Sequence, residues 1–381
     1  MKVYLDNAAT TAMYPEVIEK MIEVMKENFG NPSSTHSFGR KAKTAVETAR
    51  KNIAKLLGVT PGEIIFTSGG TEADNQILQS AVRHLGVRRI ITSKIEHHAV
   101  THTVESLERE FGVEVVYLPL QANSEIDYPV LASLLKGSQI KTLVSLMQVN
   151  NEIGTLLDMH RVGMLCRENN ALFHSDTVQS MGHFPLNFRE IPVDFATAAA
   201  HKFHGPKGIG FAFVRKSTGL KPVILGGEQE RGLRAGTESV HNIVGLSEAL
   251  TLSLKNLNEE RAYVSDLKHY FIEKIREEIP QATFNGLSAD MDKSTYTLVN
   301  TLIPMETSKA GILLFHLDLN GIACSKGSAC QSGSQNGSHV LAEILPKSLQ
   351  NQPSLRFSFS KTNTREELDY VVDVIKKFIE N

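Results

Sequence analysis

The sequence predicts an α/β fold in which a mostly parallel sheet is covered by helices on both faces. Between about residues 60 and 215, short apolar β-rich runs alternate with helical patterns, which is typical of such a fold. The predicted strands are residues 63–67, 89–93, 113–118, 141–147, 172–175, 193–196 and 209–214. The predicted helices are residues 73–85, 100–111 and 159–169. Ligands of such sheets bind at the carboxyl ends of the strands, where we therefore expect a functional site.

The pattern changes after Glu238. A long helical pattern covers residues 242–278, and strand signals follow at residues 296–302 and 354–360, before a final helix at 365–379. We therefore expect a large domain over residues 14–250 and a smaller α+β domain formed by residues 1–13 and 251–381. Within the smaller domain, residues 325–338 are dense in Gly and Ser, which favours a mobile loop.

The composition argues against several classes of protein. Of the 381 residues, 41% are hydrophobic and 22% are charged, as in ordinary soluble globular proteins. A net charge of −2 gives no electrostatic reason to expect direct binding of nucleic acid or of an anionic membrane. Three cysteines are too few for a disulfide framework, so a reducing compartment, the cytoplasm, is expected. The sequence contains neither a secretory signal pattern nor an apolar stretch of ~18 residues, so export and a spanning helix are not expected.

Two motifs place polar groups directly after predicted strands. In SGGTEADN, residues 68–75, a helix begins near Gly70 and Thr71, and its unpaired backbone N–H groups suit a phosphate. In HSDTVQS, residues 174–180, Asp176 could hold the N–H of a pyridinium ring, and Gln179 lies about one helical turn further on. Taken alone, each motif is better explained as an ordinary capped helix start.

A lysine and several histidines also follow predicted strands. Lys202, in AHKFHGPKG, lies between two apolar runs, and a lysine in a low-dielectric pocket can bond covalently to a carbonyl group. His201 beside it could donate to a phosphate. In IEHHAV, residues 95–100, His97 could stack on an aromatic cofactor and move protons near neutral pH. A zinc site formed by His97, His98 and His174 is an alternative, although these residues lack the spacing typical of zinc ligands.

The three cysteines differ in their surroundings. Cys166 lies in a helical pattern and Cys324 ends an apolar run, so both are expected to be small buried hydrophobic residues. Cys330 lies in the middle of the Gly/Ser-rich segment, where a thiol would be exposed and reactive. We therefore expect a functional role for Cys330 alone.

Taken together, the motifs resemble those of the cysteine desulfurases of the NifS/IscS kind, within the class-V aminotransferase family of pyridoxal-phosphate (PLP) enzymes. The resemblance covers nearly the whole chain, and the joint order of the motifs is specific. They are YLDNAATT (4–11), NPSSTHSFGR (31–40), SGGTEADN, EHHAV (96–100), QVNNEIGT (148–155), SDTVQS (175–180), HKFHGPKGIG (201–210), ERGLRAGTESV (230–240), GSACQSGS (327–334) and LRFSFS (355–360).

The resemblance implies a fold of the PLP-dependent transferase type (fold type I) and a role for four residues around the cofactor ring. Lys202 would hold PLP covalently, and Asp176 would pair with the pyridine nitrogen. Gln179 would contact the phenolic oxygen of the ring. His97 would stack on the ring and take part in proton transfer.

The resemblance also implies how the phosphate is held. Gly70, Thr71 and His201 would bind it, together with Thr237 from the partner subunit of a homodimer. The sequence departs from the family at Ala199, where a serine or threonine usually contributes a hydroxyl to the phosphate. We therefore expect weaker anchoring of the cofactor.

For the substrate, the resemblance implies that Asn151 and Arg356 hold the carboxylate of L-cysteine. Cys330 would take the substrate sulfur as a persulfide and leave alanine. The sulfur would serve the synthesis of iron–sulfur clusters or other sulfur-containing cofactors through an acceptor protein, such as an iron–sulfur scaffold. No metal site is implied.

Alternative functions remain open at this point. Thr177 replaces an alanine that the resemblance places against the second face of the ring, and together with Ala199 it suggests a sulfur-transfer scaffold that no longer uses PLP. Another class-V enzyme, a transaminase or a selenocysteine lyase, is also possible. Cys330 argues against the transaminase, because that reaction needs no thiol.

Overall fold

The structure, a computed structural model, describes residues 1–327 and 337–380. Cys330 and most of the Gly/Ser-rich segment lie outside these ranges, so the predicted mobile loop is not described. Among the helices of the described ranges, none has the length and apolar character that crossing a bilayer requires.

The described residues form an α/β architecture with three sheets. The strands, in chain order, are β1 (Val3–Tyr4), β2 (Ile64–Thr67), β3 (Arg89–Thr92), β4 (Glu114–Tyr117), β5 (Thr142–Ser145), β6 (Leu172–Asp176), β7 (Phe195–Ala199), β8 (Gly210–Val214), β9 (Thr283–Phe284), β10 (Leu298–Leu302), β11 (Ile322–Ala323) and β12 (Ser354–Ser358). The helices are α1 (Pro15–Glu27), α2 (Ser37–Leu56), α3 (Gly70–Arg83), α4 (His98–Phe111), α5 (Tyr128–Leu135), α6 (Met159–Glu168), α7 (Val240–Lys255), α8 (Leu257–Glu278), α9 (Thr307–Ala310), α10 (Leu313–Leu319), α11 (His339–Ile344) and α12 (Arg365–Glu380).

The central sheet has seven strands in the order β2-β8-β7-β6-β5-β3-β4. Every pair between β7 and β4 is parallel, and β8 is antiparallel to both of its neighbours. Each of the seven predicted strands overlaps one of these strands, and most of the strands are buried on both faces, as their continuous apolar runs indicate. The prediction of a mostly parallel sheet is therefore confirmed.

The smaller sheets lie beside a second hydrophobic core. Strands β12, β10 and β9 form an antiparallel sheet, and β1 pairs in parallel with β11. The core joins β1 to residues 264–375, with Val3, Leu5, Phe271 and Phe357 among its buried members. The N-terminal strand thus packs with the C-terminal part of the chain, while the domain boundary at residues 250 and 251 stays a prediction.

The predicted long helix over residues 242–278 is wrong in one respect, because it is two helices that meet at Asn256. The helix before the break buries Ile243 and Leu246 in the core that also contains α1 and α2, whereas the helix after it buries Phe271 in the second core. One continuous straight helix could not pack against both cores. Asparagine has a low helix propensity, so a break at Asn256 costs little. No helix was predicted before residue 60, where α1 and α2 lie, although both helices have an amphipathic pattern.

A buried ion pair fixes the segment that follows β8. Arg50 donates from Nη1 and Nη2 to the carboxylate of Glu230 at 2.7 and 2.9 Å, and both side chains are 2% exposed. Glu230 and Arg231 both have positive φ, 46° and 58°, which is strained for residues other than glycine. The ion pair therefore holds a strained turn in place.

We expect Arg50→Met to lower the free energy of unfolding by about 3 kcal/mol, because it leaves the buried Glu230 carboxylate without its cation. The matched control is Arg276→Met, which removes an exposed pair with Glu273 and should cost less than about 1 kcal/mol. Urea titration followed by circular dichroism measures both. Equal midpoints for the two variants would contradict this role of the pair.

Candidate active site

A cavity of about 190 Å³ lies at the carboxyl edge of the central sheet. Nine of the eleven residues that the sequence analysis assigned to a site line it: Gly70, Thr71, His97, Asn151, Asp176, Gln179, His201, Lys202 and Arg356. Thr237 is exposed and does not line this cavity, and Cys330 lies outside the described residues.

The start of α3 forms one wall of the cavity. A Cβ atom at Gly70 would lie 2.6 Å from Cγ2 of Val178, so only glycine allows the helix to begin this close to the neighbouring loop. The first N–H groups of a helix have no acceptor within the helix, and the helix dipole is positive there. Gly70 and Thr71 therefore offer an anion-binding end to the cavity.

Asp176 ends β6 at the floor of the cavity and is 5% exposed. Its Oδ1 accepts from the backbone N–H of Val178 at 2.8 Å and from the hydroxyl of Thr197 at 3.4 Å. Burial, and then the nearby Asp74 carboxyl, raise the pKa of Asp176 to about 7. A cationic ring nitrogen beside Asp176 would favour its ionised form.

Lys202 follows β7 and reaches across the cavity to the N-terminal segment. Its Nζ donates to the carbonyl oxygens of Ala8 at 2.6 Å and Ala9 at 2.8 Å. Gln179 Nε2 donates to the same Ala8 carbonyl at 2.9 Å. The part played by Ala8 and Ala9 could not be predicted from the sequence, because a backbone carbonyl has no residue-type signal.

Two histidines of the cavity are held in the neutral form. His97 caps α4, and its Nδ1 accepts from the N–H of Ala99 at 3.1 Å, which places its proton on Nε2. Burial, and then the charge of Lys202, lower the pKa of His97 to about 4. The same two causes lower the pKa of His201 to about 4, and its Nδ1 lies 3.2 Å from Thr10 Oγ1.

Arg356, on β12, brings a cation to the opposite side of the cavity and is 1% exposed. Its Nη1 donates to the backbone oxygen of Asn151 at 2.7 Å, and its Nη2 donates to Asp6 Oδ1 at 2.9 Å. Asp6 was not predicted as a site residue, because it lies 350 residues from Arg356 along the chain. Arg356 and Asn151 together could hold a substrate carboxylate.

Asp74 also lines the cavity and was missed. Its Oδ1 lies 3.3 Å from Nε2 of His174, and both side chains are at most 1% exposed. Burial raises the pKa of Asp74 to about 7 and lowers that of His174 to about 4. The spacing of four residues from Gly70, on the same face of α3, is a signal that could have found it.

Thr177 was expected to lie against the second face of the cofactor ring, and this expectation is wrong. Its side chain is fully buried and does not line the cavity, and its hydroxyl donates to the backbone oxygen of Thr197 at 2.6 Å. Neighbouring side chains at the end of a strand point in opposite directions, so Val178 lines the cavity instead. Ala199 does line the cavity, and its methyl group supplies no hydroxyl there.

These residues fit PLP. The cavity offers a helix start for a phosphate, a buried carboxylate for a ring nitrogen and a lysine for a carbonyl carbon, at Gly70, Asp176 and Lys202. The neutral ring of His97 and the methyl groups of Val178 provide apolar surface for an aromatic ring.

A metal is not supported in the same way. Within residues 1–327 and 337–380, no group of three or more His, Cys, Asp or Glu side chains is arranged to hold a metal ion. The His97, His98 and His174 alternative therefore gains no support, since His174 is instead engaged with Asp74 and with Ser145 Oγ at 2.9 Å.

The surroundings of the two described cysteines disfavour the reactive thiolate form of each. Cys166 is 1% exposed, and burial raises the pKa of its thiol well above the usual range. Cys324 is only partly buried, so the expectation of a buried residue is wrong for it. It packs against the second core, where desolvation and then the Asp6 carboxylate raise the pKa of its thiol to about 12. Both thiols are free, as the sequence predicts.

A family model described as "Aminotransferase class-V" matches residues 3–371. "Cysteine desulfurase IscS" of Dictyoglomus turgidum is 41% identical over 382 residues, covering 100% of this chain and 95% of that protein. "Cysteine desulfurase IscS" of Clostridium botulinum (strain Kyoto) is 43% identical over 383 residues, covering 99% and 94%. "Putative cysteine desulfurase IscS 1" of Bacillus subtilis is 41% identical over 384 residues, covering 99% of each chain.

Solved structures are similar over the same length. A structure titled "NIFS-LIKE PROTEIN" superposes with a TM-score of 0.91 at 34% identity, covering 100% of both chains. A structure titled "SspA in complex with cysteine" superposes with a TM-score of 0.79 at 31% identity, covering 94% of this chain and 99% of that one.

We expect iodoacetamide at pH 8 to leave Cys166 and Cys324 unlabelled while it labels Cys330. A thiol with a pKa of about 12 is ionised in only about one molecule in ten thousand at pH 8, and the fraction rises with pH. Peptide mass spectrometry over time measures the labelling, and the protein unfolded in urea serves as the control. Labelling of folded Cys324 as fast as in urea would contradict the raised pKa of its thiol.

Proposed function

The chain belongs to the aminotransferase class-V family, and from this premise we propose that it is a cysteine desulfurase that uses PLP. It converts L-cysteine to L-alanine and transfers the sulfur to Cys330 as a persulfide. The observation that carries the proposal is the single cavity in which Lys202 and Asp176 face Arg356. A transaminase would need the same cofactor residues but no reactive thiol.

The cofactor would be held by residues from both ends of the cavity. Lys202 would bind it covalently, Asp176 would pair with the ring nitrogen and Gln179 with the phenolic oxygen. The start of α3 and His201 would take the phosphate, without help from Ala199. When bound, PLP supplies an electron sink for the charge that develops at the substrate Cα.

The substrate carboxylate would bind Arg356 and Asn151. A guanidinium offers two parallel donors to a carboxylate, and Arg356 is already oriented by its hydrogen bonds to Asn151 O and Asp6. Because the side chain is buried, little water competes for the ion pair. This arrangement would fix the amino group and the Cα proton of cysteine near Lys202.

Proton transfer would fall to Lys202 and His97. Once the substrate amine has taken its place, the Lys202 amine removes the proton from Cα, and the carbonyls of Ala8 and Ala9 hold the ammonium that forms. His97, neutral and with its proton on Nε2, can give that proton and regain one at the same atom.

Sulfur transfer would be carried out by Cys330. Its thiolate attacks the substrate sulfur, an S–S bond forms, and the Cβ–S bond breaks with its electron pair passing to the carbon side. The protons that leave Cα and the thiol return to the carbon atoms. Cysteine and a thiol therefore become alanine and a persulfide without an external oxidant or reductant.

We further propose a homodimer in which Thr237 contributes to the phosphate site of the partner subunit. Thr237 is exposed in a single chain, and Leu225 is a large apolar side chain that is 80% exposed and that an interface would cover. The exposed Ile22 and Met25 of α1 add apolar surface. The persulfide would pass to an acceptor protein such as an iron–sulfur scaffold, in the cytoplasm, where free thiols persist.

The alternative of a sulfur-transfer scaffold without PLP loses one of its two supports. Thr177 does not intrude into the cavity, because its hydroxyl is committed to Thr197 O. The other support is Ala199, which lacks only the one hydroxyl that a serine or threonine would donate to the phosphate. A hydrogen bond to a charged group contributes roughly 1.5–3 kcal/mol, which weakens cofactor retention without abolishing it.

We expect Lys202→Ala to lose the visible absorbance of the bound cofactor and all measurable production of alanine from cysteine, because both the covalent link and the base are removed. The matched control is Lys207→Ala, an exposed lysine of the same loop, which should keep both. Absorbance spectra and amino-acid analysis measure the outcome. Alanine production by Lys202→Ala at near wild-type rate would refute the assignment.

A further inference from the structure

The two ends of the Gly/Ser-rich segment meet at one point, which we call the neck, formed by Gly327 and Ser338. A Cβ atom at Gly327 would lie 2.9 Å from Cβ of Ser338, so the two backbones are in close contact. Gly327 has φ of +79°, which permits the turn at this place. The described residues on either side of residues 328–336 are therefore held close together at the neck.

A buried carboxylate lies at the neck. Glu152 is fully buried, and its Oε2 accepts a short hydrogen bond from the hydroxyl of Ser338. The same oxygen lies 3.1 Å from the position of a Cβ at Gly327. Ser338 also caps α11, since its Oγ accepts from the N–H of Leu341 at 3.0 Å. One carboxylate thus bonds to Ser338 and lies close to the backbone of Gly327.

The neck is attached to the substrate side of the cavity. Glu152 directly follows Asn151, whose carbonyl accepts from Arg356, and Asn300 Nδ2 donates to the Glu152 carbonyl at 2.9 Å. On the other end of the neck, Ser325 exchanges backbone hydrogen bonds with Arg356 at 2.8 and 3.2 Å. The Ser325 hydroxyl donates to Asp6 Oδ1 at 2.7 Å, the oxygen that also binds Arg356.

The neck lies close to Cys330 along the sequence. Cys330 is three residues from Gly327, and three extended residues span at most about 11 Å. A neck held beside Arg356 therefore keeps the start of this tether on the substrate side of the cavity. Fixing the start of a tether lowers the entropy cost of bringing the tethered group to the substrate.

We propose that Glu152 is a positioning residue for sulfur transfer, which holds the neck beside the substrate-carboxylate site and so places Cys330 within reach of the substrate sulfur. This inference rests on the proposed desulfurase activity. Glu152 acts through Ser338 and Gly327 and not through contact with the substrate or the cofactor. Its loss should therefore slow sulfur transfer but leave cysteine binding intact.

The test uses Ser338→Asp in the PLP-loaded protein. Aspartate keeps the helix cap, but it cannot donate to Glu152 and places a second negative charge beside it. Glu152→Gln in the same background supplies an amide donor to the new carboxylate and should restore the contact. The matched control is Ser348→Asp, which makes the same chemical change at an exposed residue further along the chain.

Two quantities are measured with L-cysteine: the concentration dependence of the change in cofactor absorbance, and the rate of persulfide formation in a single turnover. We expect Ser338→Asp to leave the concentration dependence of the absorbance change as in wild type and to lower the rate of persulfide formation about tenfold. We expect the double variant to recover to within about threefold of wild type, and Ser348→Asp to match wild type. Ser338→Asp adds a negative charge at the neck, and Glu152→Gln removes one. If the two residues only supported the fold, the damage from the two substitutions would add up, and the double variant would be slower than Ser338→Asp.

The inference is overturned if Ser338→Asp transfers sulfur at the wild-type rate, or if the double variant is slower than Ser338→Asp. It is also overturned if cysteine binding and sulfur transfer fall together. Failure of the desulfurase proposal itself has a different signature, since the wild-type protein would then form neither alanine nor persulfide.

Discussion

The hydrogen bonds between Lys202 and the carbonyl oxygens of Ala8 and Ala9 are the constraint on which the candidate site depends. The segment that carries these carbonyls begins in β1, which pairs with β11 beside the second core. It then crosses to the edge of the central sheet, where Thr11 N donates to His201 O at 2.9 Å. Because Asp6 of the same segment holds Arg356, a stretch of a few residues sets the position of the lysine relative to the arginine.

The cavity that results favours the neutral forms of its titratable side chains, because burial penalises a charge that has no partner. Burial lowers the pKa of His97 to about 4 and raises that of Asp176 to about 7. A ligand that brings a cation to Asp176 and an anion to the start of α3 would compensate both ends of the cavity. PLP joined to an amino acid has this distribution of charge, with a carboxylate to match Arg356.

Much of the fold and of the site could be predicted because the informative residues follow directly from strands. Asp176 and Lys202 lie after apolar runs, and the carboxyl ends of neighbouring parallel strands meet at one edge, so their convergence follows from topology. The part played by Ala8 could not be predicted, because a backbone carbonyl has no residue-type signature. The prediction for Thr177 was wrong because its side chain lies on the side of the strand end that faces away from the cavity. The break at Asn256 was not predicted because a local helical pattern does not show that its two halves pack into different cores.

The central claim is that sulfur leaves cysteine onto Cys330 in the chain described here. The most direct measurement mixes the PLP-loaded protein with L-cysteine, about one equivalent per chain, in the absence of reductant, and quantifies alanine together with the mass of each cysteine-containing peptide. The account predicts about one alanine per chain and one added sulfur atom on the Cys330 peptide, which reductant then releases as sulfide. Alanine without added sulfur on Cys330, or added sulfur on Cys166 or Cys324 instead, would contradict it.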